Sequence, residues 1–192
     1  MSSTSAPFGF RPTFHNSGNI RSKVYTIAAA YSTAIFTGDL VTLTLDGVIN
    51  QAGVTLTDKI LGVFQGVEYL DATGKPVISP YWPGAVTGAT NIRAYVMDDP
   101  ETLFDVQMTN SSPGTTVQAK VGEMGVWVAT AGSTATGISA ATVVASTSFG
   151  ASSSQIQIVG FNYDQNNALT DTYVIATVRI NTHQYKASVA GV

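Results

Sequence analysis

The sequence contains no cysteine, and only 11% of its 192 residues are charged. The absence of cysteine excludes disulfide bonds and thiolate metal sites, so stability has to come from packing or from assembly. An average soluble domain has about 25% charged residues, and net charge helps to keep free monomers apart. We therefore expect the protein to live in an assembly.

Basic clusters and long apolar runs are also missing. The net charge is −3, whereas proteins that bind nucleic acid need a Lys/Arg surface to neutralise phosphates. No run of about 18 apolar residues occurs, which is the length that a membrane helix requires. Residues 1–7 lack the basic start and apolar core of a signal peptide. We expect no nucleic-acid partner, no membrane insertion and no export by that route.

What the chain does have is 44% hydrophobic residues, arranged mostly as short strands. In the central segment, residues 36–69, apolar and polar residues alternate from Leu40 to Leu45, as in a half-buried strand. Asp46-Gly47 predicts a two-residue hairpin turn, and Ile60 to Tyr69 predicts a third strand. About nine such strands and very little helix predict an all-β fold, a small β-barrel or β-sandwich.

The first 23 residues have neither a helical nor a strand period, and they predict an extended amino-terminal arm before a single body at 24–183 and a tail at 184–192. The arm contains no acidic residue, so it is basic while the body is acidic. Its aromatic side chains have to be buried somewhere, either on the body itself or on a neighbouring subunit. The aromatic and basic residues concerned are Phe8, Phe10, Arg11, Phe14, Arg21 and Lys23.

Two loops complete this prediction. Residues 129–154 form a long loop rich in Ser, Thr, Ala and Gly, in which Ser139 could cap one or two helical turns from Ala140 to Ala145. Residues 80–84 form an aromatic loop with Tyr81 and Trp82, which either closes an open barrel end or faces a partner.

Signals for catalysis are weak. The only histidines, His15 and His183, lie in the arm and near the tail, and neither accompanies a nucleophile motif. The acidic residues near Asp98 and Asp99 lack the spacing of a calcium loop and fit a turn. We expect a protein that is not an enzyme and that holds no cofactor and no metal.

Several short motifs resemble those of tailed-bacteriophage head decoration proteins, also called capsid cement proteins. The arm has A-P-F-G-F-R-P, and the central segment has G-D-L-V-T-L, D-G-V-I and K-I-L-G-V-F-Q-G-V. Further along, D-D-P-E, A-T-G-I-S-A-A-T, I-V-G-F and V-R-I-N-T-H-Q-Y follow in the same order. The resemblance therefore touches most of the chain.

This resemblance implies a virion protein, made in the host cytoplasm, that binds the outer surface of an assembled capsid. Its partners would be the major capsid protein and further copies of itself. The resemblance implies a homo-oligomer, with a trimer favoured over a dimer, often at local threefold positions. We expect the arm to grip neighbouring capsid subunits, with its basic residues on acidic surface. The residues expected to bind are Phe8, Phe10, Arg11, Phe14, Arg21, Lys23, Tyr81 and Trp82.

Two other functions stay open from the sequence. A receptor- or glycan-binding module would use Tyr81, Trp82 and Trp127 as an aromatic platform for sugars. A tail or baseplate connector is also compatible with an all-β chain of low charge.

Overall fold

A computed structural model describes residues 3–144 and 154–186. The predicted all-β fold is confirmed, since these residues form strands joined by turns and contain no α-helix. The one helical element in these two ranges is a single 3-10 turn, Val117–Lys120. The strands are β1 (Arg11–Phe14), β2 (Lys23–Tyr25), β3 (Ile35–Phe36), β4 (Leu40–Leu43), β5 (Ile49–Gln51), β6 (Gly62–Leu70), β7 (Pro76–Ser79), β8 (Tyr81–Trp82), β9 (Thr90–Met97), β10 (Leu103–Thr109), β11 (Met124–Val128), β12 (Thr142–Val144), β13 (Ile156–Phe161) and β14 (Tyr173–Ile180).

Strands β10, β12, β11, β13 and β14 pair in that order and close into a five-stranded barrel through the antiparallel β10–β14 ladder. Burial alternates along β14: every second side chain is buried and the others are half-buried. One face of this strand therefore points into the barrel. The barrel interior is filled by Phe104, Val106, Met108, Trp127, Val143, Ile156, Ile158, Phe161, Val174, Ala176, Val178 and Ile180.

A second sheet has the order β2-β9-β6-β4-β5, with β7 paired to β6, and the short pair β3–β8 packs beside it. The two cores meet at β4 and β6, where the strand alternation sends neighbouring side chains in opposite directions. Leu40 and Val63 belong to the barrel core, whereas Val41 and Phe64 belong to the core of the second sheet. Two strands thus tie both sheets into one body.

The predicted hairpin at Asp46-Gly47 is present between β4 and β5, but its loop is longer than two residues. Thr44 N–H donates to the Val48 carbonyl at 2.9 Å, and Gly47 N–H donates back to the Thr44 carbonyl at 3.0 Å. Gly47 has a φ of +74°, the left-handed conformation that closes a three-residue loop of this kind. The tip of the hairpin is therefore a tight, hydrogen-bonded turn.

The helical turns predicted from Ala140 to Ala145 are wrong as far as the structure describes them. Residues 142–144 form β12, which runs parallel to β10 and antiparallel to β11 and so completes the barrel. Ser139 does accept a hydrogen bond from Ala141 N–H at 2.9 Å, but the β-branched Thr142, Val143 and Val144 favour a strand. The remainder of the predicted loop, from 145 to 153, lies outside the described residues.

The predicted domain boundaries do not coincide with a break in the packing. Strand β1, inside the predicted arm, pairs with β10, and Phe10 lies in the barrel core. At the other end, Gln184 N–H donates to the Ile60 carbonyl at 2.8 Å, and its side-chain amide hydrogen-bonds both backbone groups of Leu43. Residues 187–192 of the predicted tail are not among those described.

Candidate docking site

The amino-terminal segment crosses the body where two glycines face each other. Gly9 and Gly38 have φ angles of +70° and +95°, and Phe10 N–H donates to the Gly38 carbonyl at 2.9 Å. A Cβ on Gly9 would lie 2.7 Å from the Ser139 Cβ and 2.8 Å from the Gly38 oxygen. Only glycine allows both the backbone conformation and this close approach. The F-G-F motif thus seats the segment on the body.

A buried carboxylate lies directly below this crossing. Asp39 is fully buried and accepts hydrogen bonds from Phe36 N–H at 2.9 Å, Gln51 Nε2 at 3.2 Å and Ser139 Oγ at 2.5 Å. Burial raises the pKa of the Asp39 carboxyl above its ordinary value, although the three donors oppose that shift. Asp39 therefore links β3, the β5 strand and the loop before β12 in a satisfied polar network.

Thr37 joins the same region to the loop before β12. Its backbone N–H donates to the Gly137 carbonyl at 3.0 Å, and its carbonyl accepts from Ser139 N–H at 2.9 Å, which makes a parallel bridge with Ile138. The Thr37 hydroxyl donates to the Pro80 carbonyl at 2.5 Å and contacts the Gln65 carbonyl at 3.1 Å. The backbone and the hydroxyl of Thr37 thus hold four separate stretches of chain together.

A cavity of about 180 Å³ opens above this junction, and we call it the arm pocket. Two features of its lining point to a ligand. The Arg11 guanidinium lies over the Phe8 ring at 4.6 Å from the ring centroid, and it has no ion pair within the described part of the chain. The Gln65 Nε2 is buried and has no hydrogen-bond partner there. The lining residues are Phe8, Phe10, Arg11, Pro12, Thr37, Gly38, Gln65 and Ile138.

The arm pocket therefore combines apolar walls with an exposed guanidinium that has no ion pair and a buried amide donor that has no partner. A buried polar group that lacks a partner costs free energy, and native proteins usually supply the missing partner. An unpaired guanidinium beside an apolar surface favours a carboxylate, which it can bind through parallel hydrogen bonds. A ligand with an apolar part and an acidic group fits the apolar walls and the guanidinium.

Only some of the predicted binding residues meet at this site. Phe8 and Arg11 line the pocket with accessible surface, but Phe10 is 1% exposed and belongs to the barrel core. Phe10 is therefore an anchor within its own chain, which corrects the expectation that its side chain grips a partner. Phe14, at the end of β1, is 52% exposed and faces outward.

The basic residues of the predicted arm separate. Lys23 lies in β2, where its Nζ is 2.9 Å from Asp98 Oδ2, and this contact raises the pKa of Lys23. Asp98 also accepts from the Tyr25 hydroxyl at 2.6 Å, and burial raises the pKa of Tyr25. Lys23 thus completes an ion pair within its own chain, while Arg21 is exposed and lies away from the arm pocket's lining.

The aromatic loop predicted at residues 80–84 contains the short strand β8, which pairs with β3. Trp82 is fully buried, and its Nε1 donates to the Tyr31 carbonyl at 3.0 Å. Trp127 is buried in the barrel and donates to the Gly53 carbonyl at 2.9 Å. Tyr81 stacks on Phe36, with 5.3 Å between ring centroids. The predicted sugar platform of Tyr81, Trp82 and Trp127 does not form, because both indole rings fill cores.

The two histidines lie near the turn that joins β9 to β10. His15 Nε2 is 3.2 Å from Asp99 Oδ2, while the His183 ring is fully buried and its Nδ1 accepts from Tyr185 N–H at 3.1 Å. Burial lowers the pKa of His183 to about 4. Within the two described ranges, no group of three or more His, Asp or Glu side chains could hold a metal ion.

No protein-family model, curated protein or solved structure matches this chain. Among the residues described, no helix has the length and apolar character that crossing a membrane requires.

Sequence reasoning missed half of the arm pocket. Thr37, Gly38, Gln65 and Ile138 lie far from the arm in sequence, and only the tertiary fold brings them to it. One signal was available: Gly38 precedes a strand rather than filling an obvious turn, which marks a close approach of backbones.

Proposed function

We propose that the protein is a viral structural protein that binds the outer surface of an assembled phage head and stabilises it by bridging neighbouring capsid subunits. The proposal joins the motif resemblance to one structural observation. Three strands at sheet edges carry large, exposed apolar side chains, namely Phe14 on β1, Val24 on β2 and Ile78 on β7.

Such edges are a hazard for a protein that stays monomeric. An unpaired strand edge with apolar side chains invites pairing with other chains, and free proteins usually protect edges with charges or prolines. Each of the three strands does carry a charge or a proline, namely Arg11 and Pro12 on β1, Lys23 on β2 and Pro76 on β7. The feature that a partner would cover is therefore the exposed apolar side chain of each strand. Exposed edges are an advantage when neighbouring subunits cover them, as they would on a capsid lattice, where several weak contacts add up through multivalency.

The arm is already fixed on the body, which favours docking to the capsid through a preformed surface. Gly9 and Phe10 fix the segment to the body, while Arg11 and Phe14 stay accessible on the outside. Because these side chains are held before any partner arrives, docking would lose little conformational entropy. The partners proposed are the major capsid protein and further copies of this chain, with localisation on the outside of the virion.

The test is a pair of particle reconstructions, one with this protein and one without it. The proposal expects density on the outer shell that is lost in the second map, together with heads that release their genome at a lower temperature. Density confined to the tail or baseplate would support the connector function instead. Heads of equal heat resistance in both preparations would contradict the stabilising role.

Point variants are better suited to this test than removal of the arm. Deleting residues 1–23 would also remove Phe10 from the barrel core, so lost binding could reflect unfolding. Replacing Phe14 by serine changes an exposed side chain and leaves the core intact. We expect Phe14→Ser to reduce the occupancy of heads while the isolated protein keeps its thermal stability. Specific binding of the isolated protein on a glycan array would favour the receptor-binding alternative.

A further inference from the structure

The arm pocket has the size of a single side chain. Pockets for drug-sized ligands are about 300–1,000 Å³, whereas this cavity is about 180 Å³. Its walls are apolar, the Arg11 guanidinium lies at its side without an ion pair, and a buried Gln65 donor lacks a partner. The complementary group is an aliphatic side chain next to a free carboxylate.

This chain displays such a group at the tip of the β4–β5 hairpin. Leu45 is 86% exposed, the highest exposure among the large hydrophobic residues described. The adjacent Asp46 is exposed, and its carboxylate has no hydrogen bond or ion pair within the described ranges. Three other exposed aliphatic residues lie near acids that are already engaged. Val54 and Leu56 lie near Asp58, which accepts from Thr55 N–H, and Val121 lies near Glu123, which pairs with Lys120.

The tip is also rigid. The bonds between Thr44 and Val48, and between Gly47 and Thr44, hold the turn in one conformation. Inserting Leu45 would therefore cost little backbone entropy, which is the usual advantage of a preorganised contact.

The tip cannot reach the pocket of its own chain. Gly38 lines the pocket, and Leu45 lies seven residues further on, at the other end of β4. An extended strand rises about 3.3 Å per residue, so the two sites are roughly 20 Å apart. A contact between them has to join two copies of the protein.

We infer that the Leu45–Asp46 tip of one copy docks in the arm pocket of a second copy, with the Asp46 carboxylate on the Arg11 guanidinium. The contact is head-to-tail, since different surfaces of the two copies meet. Repetition of such a contact closes into a ring when the rotation between copies allows it. This inference deepens the proposed function, because it names the contact by which neighbouring copies would join on a capsid.

The first experiment measures self-association of the full chain by sedimentation velocity over a range of concentrations. Arg11→Glu and Leu45→Ser should each weaken association by at least about tenfold. Arg21→Glu and Val121→Ser are the matched controls, since they alter an exposed basic and an exposed aliphatic residue outside the pocket and the sheet edges, and they should associate as the unchanged protein does. Circular dichroism and thermal unfolding check that every variant is folded.

A charge exchange tests the specific pair. Arg11→Asp and Asp46→Arg should each lose association, and the protein that carries both changes should regain it. Failure of the double variant to regain association, with its fold intact, would overturn the pairing. A chain that stays monomeric at millimolar concentration, or equal losses in the control variants, would overturn the whole inference.

The absence of cysteine allows an independent test by cross-linking. A Leu45→Cys variant mixed with an Ile138→Cys variant should form a disulfide-linked pair under mild oxidation, because Ile138 lines the pocket. A mixture of Val121→Cys with Ile138→Cys is the control and should form no such pair. Yields that are equal in the two mixtures would contradict the docking geometry.

The two proposals can fail separately. Variants that lose self-association but still occupy heads as isolated copies would overturn this inference and leave the decoration function standing. Self-association through the tip and pocket, without any density on the head, would do the reverse.

Discussion

Replacing Phe10 by alanine should lower the free energy of unfolding by about 3–5 kcal/mol, the usual cost of removing a buried phenylalanine side chain. Phe10 is 1% exposed and packs in the barrel core, and the neighbouring Phe10 N–H to Gly38 hydrogen bond limits how far the backbone could collapse into the cavity. For a chain of this length, 1 kcal/mol corresponds to about 2–4 °C in the melting temperature. We therefore expect the midpoint to fall by roughly 10 °C.

Phe14→Ala is the matched control, because it removes the same atoms from the same segment. Phe14 is 52% exposed, so much of its surface is already in water in the folded state. Its replacement should cost less than about 1 kcal/mol.

The measurement is chemical denaturation of the isolated protein, followed by tryptophan fluorescence, since Trp82 and Trp127 each report one of the two cores. The reasoning would be refuted if the Phe10 and Phe14 variants were equally stable. That result would mean that the amino-terminal segment is not seated on the body before a partner arrives. Phe10 would then be available to contact a partner, as predicted from the sequence.

Three further substitutions test other parts of the structure. Gly9→Ala should destabilise more than Gly18→Ala in denaturant titrations, because both residues have φ near +70° but only Gly9 has atoms within 3 Å of an added Cβ. Asp39→Ala should cost at least about 3 kcal/mol, since three donors lose their buried acceptor, while Asp39→Asn should cost less. The pKa of the His183 side chain is about 4 in the folded protein and 6.5 in the unfolded chain. The free energy of unfolding should therefore be highest above pH 6.5 and should decrease by up to about 3 kcal/mol as the pH falls to 4. In thermal melts, His183→Gln should flatten this decline, and an unchanged pH profile in that variant would assign the decline to other groups.

Much of the fold is predictable from local pattern because strand burial leaves a period of two in the sequence. The alternation in β14 and in the central segment is of this kind, and Asp46-Gly47 correctly marks a hairpin. The error at residues 140–145 has a tertiary cause. Small residues after Ser139 suit a helix start by local preference, but β12 is needed between β10 and β11 to close the barrel. Long-range pairing overrode a weak local signal there.

The candidate site was far less predictable, for a related reason. The three phenylalanines of the first 14 residues look alike in a sequence without period, yet one is core, one lines a pocket and one faces solvent. What separates them is the crossing of Gly9 over Gly38, a contact between segments nearly thirty residues apart in the chain. No pattern within the arm itself carries that information.

Because the arm is fixed on the body, variants of different residues should differ in how they affect stability and self-association. Gly9 and Phe10 hold the segment in place, so their loss should reduce stability and, by displacing Arg11, should also reduce self-association. Arg11 has no ion pair within the described residues, but it lies opposite Asp105 in the β1–β10 ladder and over the Phe8 ring. Arg11→Glu should therefore reduce association and lower stability by only about 1 kcal/mol, because it places two like charges opposite each other. Leu45→Ser should behave like Arg11→Glu although it lies at the other end of β4, because the tip and the pocket meet only between copies. A flexible arm that orders on binding would give a different result, since Gly9 and Phe10 variants would then bind poorly but melt normally. The combination of melting and association measurements on these four residues therefore distinguishes a fixed socket from a mobile clamp.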